Sequence, residues 1–335
     1  MTSRRARSFA MVTAAVLVTT WLRAQDASSQ SQPGDSQDLS PPALGAPRQD
    51  TPRFRSSTDL VVLHVSVTDR KGAYVGDLPQ EAFTVFEDGR AQQTTFFRRE
   101  DEPLTAGLVI DSSGSLREIR DLVIAAGTAF VQAGNPSDEF FALAFNEDVK
   151  PALSANSPFT SNPEILRQAM LDAVVPRGRT ALFDAIIEGL SYAQRGSRER
   201  KALVLISDGG DNASRATFGE VTARLQTSNV IVYGVALVDP EDQQAKPKRL
   251  KELAAASGGE SFQPRDTRQV SRVLEHIARE LRHVYTLGYS PAPAGEPRFH
   301  KLRVAVTAPG RGRLDVRTRT GYMSEPARPE AEHDR

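Results

Sequence analysis

The chain has 335 residues, enough for one large domain plus a smaller one, each with a core to bury. Basic and acidic side chains number 42 each, so there is no general basic field of the kind that attracts nucleic acid. The absence of cysteine excludes disulfides, thiolate metal sites and cysteine nucleophiles, so the fold must rest on its core, alone or with a bound ion.

Residues 1–24 carry Arg4, Arg5 and Arg7, then an apolar run from Phe9 to Leu22, then small and polar residues near Ala24. That is the pattern of a secretory signal peptide. The run is 14 residues long, short of the roughly 20 that span a bilayer. Export to the periplasm or beyond the cell is therefore expected, with an N-terminal membrane anchor as the alternative. No later segment is long and apolar enough to cross a membrane, so no span is expected after cleavage. Residues 25–52 are rich in Ser, Gln, Pro and Asp with almost nothing to bury, which predicts a disordered linker.

Residues 53–102 predict a small β unit. In "DLVVLHVSVTD" the apolar residues Val61, Leu63, Val65 and Val67 alternate at strand spacing, and Asp88-Gly89 separates two further strand-like runs as a hairpin would. From 103 to 285 the rhythm changes. The apolar runs "AGLVID", "FFALAFN", "KALVLIS" and "VIVYGVAL" alternate with helical patterns, among them Leu116, Ile119, Val123, Ala126 and Phe130 at steps of three and four. Near-continuous apolar strands separated by helices predict a doubly wound α/β domain around a mostly parallel sheet. Residues 286–325 return to period two in "HKLRVAVTA" and "RLDVRTRTGY", strands expected to pack with the N-terminal β unit. Residues 326–335 read as a tail.

Ligands of open α/β sheets sit at the carboxyl ends of the strands. Three polar stretches fall there: "DSSGS" after Ile110, "RGRTALFDAI" around Thr180, and "LISDGGDN" with Asp208. Asp111, Ser113, Ser115, Thr180 and Asp208 together offer two carboxylates and three hydroxyls, a donor set suited to a hard cation such as Mg²⁺ or Mn²⁺. Two carboxylates only neutralise a divalent ion, which leaves it electrophilic toward a further acid. Gly114 is expected to supply the bend. The plainer alternative is that Ser115 and Thr180 cap the helices that follow them and that "SDGGDN" is a turn.

Three such stretches resemble the metal-ion-dependent adhesion site of the von Willebrand factor type A domain, D-x-S-x-S with a later Thr and a later Asp. Asp111, Ser113 and Ser115 match the first element, Thr180 the second and Asp208 the third; the flanking strands resemble those of exported bacterial proteins of the same family. The resemblance implies a six-stranded sheet, a protein partner that supplies an Asp or Glu carboxylate to a shared metal, adhesion-type binding, and no catalysis. It also implies that Asp208 reaches the ion directly or through water.

Ser112 and Asp211 read as turn residues, and Asp184 as a capping or solvated carboxylate with a role in orienting a coordinated water as the alternative. The five histidines show no zinc spacing. The basic residues 298, 301, 303, 311, 313, 317 and 319 suggest a solvated strand face, with a docking surface for an acidic partner or membrane headgroups as the alternative. No phosphate-binding loop and no G-x-S-x-G elbow occurs. Two rival functions stand beside binding: a metal-dependent hydrolase attacking through Asp111 in the manner of aspartyl phosphatases, and a structural scaffold whose site is vacant.

Overall fold

The computed structural model describes residues 60–99, 101–238, 245–266, 268–292 and 296–324. The expected signal peptide, linker and tail lie outside the described residues. Among those described, no helix is long and apolar enough to cross a membrane.

The chain opens with strand β1 (Val61–Thr68), followed by β2 (Phe83–Glu87), β3 (Arg90–Gln92) and β4 (Phe96–Arg98). Strands β2 and β3 form a hairpin on Asp88-Gly89, where φ is 48° and 83°. Two consecutive positive φ angles suit the turn whose twist matches paired strands.

Next come β5 (Leu104–Asp111), α1 (Arg120–Gln132), β6 (Glu139–Phe145), β7 (Val149–Pro151), α2 (Pro163–Ala173) and α3 (Leu182–Gln194). They are followed by β8 (Arg200–Ser207), α4 (Phe218–Thr227), β9 (Val230–Ala236), α5 (Pro247–Ser257), β10 (Ser261–Phe262) and α6 (Arg268–Leu281). The six strands form one sheet in the order β10-β9-β8-β5-β6-β7, parallel except for β7. The sequence shows why it is covered on both faces. In β5, Leu104, Ala106, Leu108 and Ile110 pack toward α1, α2 and α6, while Val109 packs toward α3, α4 and α5. Strand β8 divides in the same way, so every residue of these apolar runs has a core to enter. Local caps set the helix starts: Asn162 caps α2 ahead of Pro163, and Thr217 with Glu220 forms a capping box on α4.

Strands β11 (Tyr285–Tyr289), β12 (Phe299–Val306), β13 (Asp315–Arg317) and β14 (Gly321–Met323) return to the N-terminal strands. One sheet has the order β13-β1-β11-β4 and the other β14-β12-β2-β3. Both bury side chains in a common core, Leu63 and Leu287 from the first and Val85 and Val304 from the second. The doubly wound six-stranded sheet with an accessory β unit from both ends of the chain is thus the fold of this protein.

One carboxylate fastens the two parts. Glu280 of α6, 1 % exposed, accepts hydrogen bonds from Tyr233 of β9 at 2.9 Å and from Tyr74 at 3.1 Å, and pairs with Arg317 of β13. Two expectations need correction. The helical steps from Leu116 begin in a 3₁₀ turn, Gly114–Ile119, and α1 starts only at Arg120. The run "RLDVRTRTGY" is two short strands in different sheets. Between them the chain passes the C-cap of α5, where a Cβ on Gly258 would lie 2.5 Å from the Arg319 amide.

Packing at the middle of β5 is tight enough to test. A Cβ at Gly107 would meet Phe141 Cζ at 2.2 Å and Leu203 Cδ2 at 2.7 Å, and the Phe141 ring is held by Phe159 and Tyr192. Gly107→Ala is expected to destabilise by about 1–3 kcal/mol, read as a lowered urea midpoint with an unchanged slope.

Candidate metal centre

The order of the central sheet reverses at β5, which has β6 on one side and β8 on the other. This is the switch point at which α/β sheets open a crevice. Asp111 ends β5 and Ser207 ends β8. The Ser207 hydroxyl donates to Asp111 Oδ2 at 2.8 Å, and the Ser113 amide donates to Oδ1 at 2.8 Å. The Ser113 hydroxyl bonds the same carboxylate.

Asp111 is 1 % exposed. Burial pushes its pKa up to about 6, the charge of Asp208 adds to the rise, and the bonds from Ser113 and Ser207 oppose it. Ser113, Thr180 and Asp208 are buried as well. The Ser115 side chain lies outside what is described.

Backbone bonds tie the surrounding loops together. The Ser112 amide and hydroxyl both donate to the Phe145 carbonyl, at 2.7 and 3.1 Å, and the Ser112 carbonyl accepts from the Arg177 amide at 2.8 Å. Thr180 is held by the loop after β8. Its amide donates to Asn212 Oδ1 at 2.8 Å and its carbonyl accepts from the amides of Asn212 and Ala213 at 2.9 and 3.0 Å. Those bonds occupy the Thr180 main chain and leave its hydroxyl without a hydrogen-bonded protein group among the described residues. Asp208 Oδ1 accepts from the Gly210 amide at 2.7 Å.

The helix-cap alternative does not match the backbone. The N-cap of α1 is Ile119 and that of α3 is Ala181, each without a side-chain cap bond. Ser115 and Thr180 therefore occupy neither cap. The chain does turn at Gly114, where the 3₁₀ turn begins, but nothing there requires glycine: an added Cβ meets nothing within 4 Å and φ is not positive. The glycine that its backbone requires lies in the loop after β8: Gly209 has φ 82° and the Lys246 carbonyl would crowd an added Cβ.

The two oxygens of Asp184 accept from the amides of Arg215 and Ala216, at 3.0 and 2.9 Å, so it braces the loop before α4. Asp211 accepts from the Ser214 hydroxyl, which in turn accepts from the amides of Phe183 and Asp184. Sequence reasoning missed Ser207, Asn212 and Ser214. The signal for Ser207 was its place directly before Asp208 at a strand end.

Arg298, Lys301, Arg303, Arg311 and Arg313 are exposed, as a solvated face requires, and several of the basic residues are paired. Arg298 pairs with Asp88, Arg311 with Asp77, and Arg317 with Glu260 and Glu280, while Arg303 stacks 3.9 Å over Phe86 and Arg319 is buried.

The donor set fits a hard divalent cation. Two acids approach one another in a buried crevice, and the side chains that bond the Asp111 carboxylate are the hydroxyls of Ser113 and Ser207.

The sequence profile of the von Willebrand factor type A domain matches residues 107–277. No curated protein sequence matches the chain. Among solved structures the chain is similar to a von Willebrand factor type A protein from Catenulispora acidiphila, at 12 % identity and TM-score 0.46, covering 81 % of this chain and 75 % of that one. It is similar to the vWF domain of the type V pili tip protein Mfa5 from Porphyromonas gingivalis, at 13 % identity and TM-score 0.43, covering 53 % and 95 %. A third is proximal thread matrix protein 1 from the mussel byssus with a zinc-occupied MIDAS motif, at 14 % identity and TM-score 0.45, covering 58 % and 49 %.

Folding raises the Asp111 pKa from 3.8 to about 6, so its protonated form favours the folded state. That stability is complete below about pH 4 and is lost as pH rises through about 6. In chelator, wild type should lose on the order of 3 kcal/mol across that window relative to Asp111→Asn. Urea titrations at pH 4 and pH 7 measure the difference, and identical pH dependence in the two proteins would contradict it.

Proposed function

Because the chain belongs to the von Willebrand factor type A domain family, whose members are generally interaction modules, we propose that it is an exported, metal-dependent protein-binding module. Asp111, Ser113, Ser115 and Thr180 hold Mg²⁺ or Mn²⁺, and Asp208 contributes directly or through water. The ion, when bound, supplies an electrophilic position for an Asp or Glu carboxylate of a protein partner, an adhesion-type contact that breaks no bond.

The observation that carries this is the state of Asp111: an acid 1 % exposed at the sheet's switch point, with Asp208 raising its pKa further. Such a carboxylate is costly to ionise without a cation. The residues around it set the geometry. Ser207 and the Ser113 amide fix the carboxylate plane, and Asn212 fixes the Thr180 backbone so that its hydroxyl needs no reorganisation. Gly209 and the Gly210 amide shape the loop that presents Asp208.

Titration of Mg²⁺ or Mn²⁺ into the protein should give one binding event and a raised melting temperature. Asp111→Ala should abolish both, and Asp208→Asn should weaken binding by roughly 10–100-fold. Equal heats in wild type and Asp111→Ala, with no stabilisation of either, would remove the metal from the account.

A further inference from the structure

A second group of potential ligands stands in the accessory β unit. Glu87 ends β2, Asp88 opens the hairpin turn, and His300 lies on β12. They form the one group of three or more acidic, histidine or cysteine side chains with metal-ligand spacing among the described residues. The Nδ1 atom of His300 lies 2.8 Å from Glu87 Oε1 and 3.0 Å from Asp88 Oδ2. Glu87 is 8 % exposed and His300 7 %.

One imidazole nitrogen stands between two carboxylates. Nδ1 has at most one proton for two carboxylates.

The surroundings are those of a held ligand set. Tyr322 donates to Glu87 Oε1 at 3.0 Å and stacks on the His300 ring at 5.1 Å between centroids. The Lys301 amide donates to Asp88 Oδ1 at 2.9 Å, which turns Oδ2 toward the ring. Arg298 reaches the same Oδ2 at 3.2 Å from an exposed position, so it can withdraw into solvent.

We propose that Glu87, Asp88 and His300 bind a zinc ion. One imidazole nitrogen with two carboxylates suits zinc, whereas Mg²⁺ prefers oxygen alone. Bonds of roughly 2.0–2.2 Å in a tetrahedral arrangement place ligand atoms about 3.3 Å apart. The present spacings need to open by only a few tenths of an ångström, and Asp88 sits on an exposed turn that can provide this. The fourth position faces solvent on the Asp88 side and takes a water. The ion joins the β2–β3 hairpin to β12 across the pairs that run from Leu302–Glu87 to Val306–Phe83. It serves as a staple in a small β unit that has no cysteine to cross-link it.

The test keeps this site apart from the one at Asp111. Zinc is titrated calorimetrically into the full chain carrying Asp111→Ala, in excess Mg²⁺. The proposal expects one equivalent bound. Adding His300→Gln should weaken binding by at least roughly 100-fold, and adding Tyr322→Phe by roughly 10-fold. Cobalt(II) in place of zinc should give the strong visible absorption of a tetrahedral site, lost with His300→Gln. Should His300→Gln fail to fold, Asp88→Asn on the exposed turn serves instead and should weaken zinc by the same order. The proposal is overturned if the Asp111→Ala protein binds zinc no more tightly than its His300→Gln or Asp88→Asn derivative. His300 would then only hydrogen-bond its two neighbours.

Discussion

A carboxylate at the end of a fully covered strand is the constraint around which this molecule is arranged. Strand β5 has a parallel neighbour on each side and helices on both faces, so its last residue, Asp111, emerges where water scarcely reaches. Two serines offer it hydrogen bonds, which reduce the cost of charge without cancelling it. The nearby Asp208 works in the opposite direction. A structure that buries one acid at a dry position, near a second, and gives it serine partners is arranged for a cation that arrives from outside the chain.

The loops around Asp111 are correspondingly stiff. Main-chain hydrogen bonds connect the segment after β5 to β6 and to the segment before α3, and connect that segment in turn to the turn after β8. Polar residues that stand beside the motif in one dimension, Asp184 and Asp211, and Asn212, which sequence reasoning missed, offer acceptors to backbone amides. That division has a physical basis: amides exposed by irregular loops need acceptors, and a site that must not rearrange on binding needs those loops already satisfied. Farther away, Glu280 draws hydroxyls from Tyr74 and Tyr233 and the guanidinium of Arg317 onto one buried acid, so the accessory sheets and the last helix of the central domain share a polar joint as well as apolar contact.

Much of this was readable in the sequence because the strongest signals were periodic. The apolar runs at 104–111, 200–207 and 230–236 are long enough and apolar enough to require cover on both faces, and they found it. The Asp88-Gly89 turn was legible because left-handed backbone narrows the choice of residues. Where periodicity is ambiguous, reading failed. Three- and four-residue steps do not distinguish the 3₁₀ turn at Gly114–Ile119 from the α-helix that follows it. An alternating run does not reveal that the chain changes sheets between Arg317 and Gly321. At the site, Asp111 and Asp208 stood out by chemistry. Ser207 did not, because a serine closing a strand is ordinary until the register sets it opposite a buried acid. Gly114 misled for a related reason: glycine marks tight places only on average, and the tight place was Gly209.

The most direct test of the central claim is anomalous diffraction from a crystal of this protein soaked in Mn²⁺. A manganese peak bonded to Asp111 with the hydroxyls of Ser113, Ser115 and Thr180 turned toward it is the predicted result. A map with no peak in that crevice at saturating manganese, or with those hydroxyls directed away from Asp111, would contradict it.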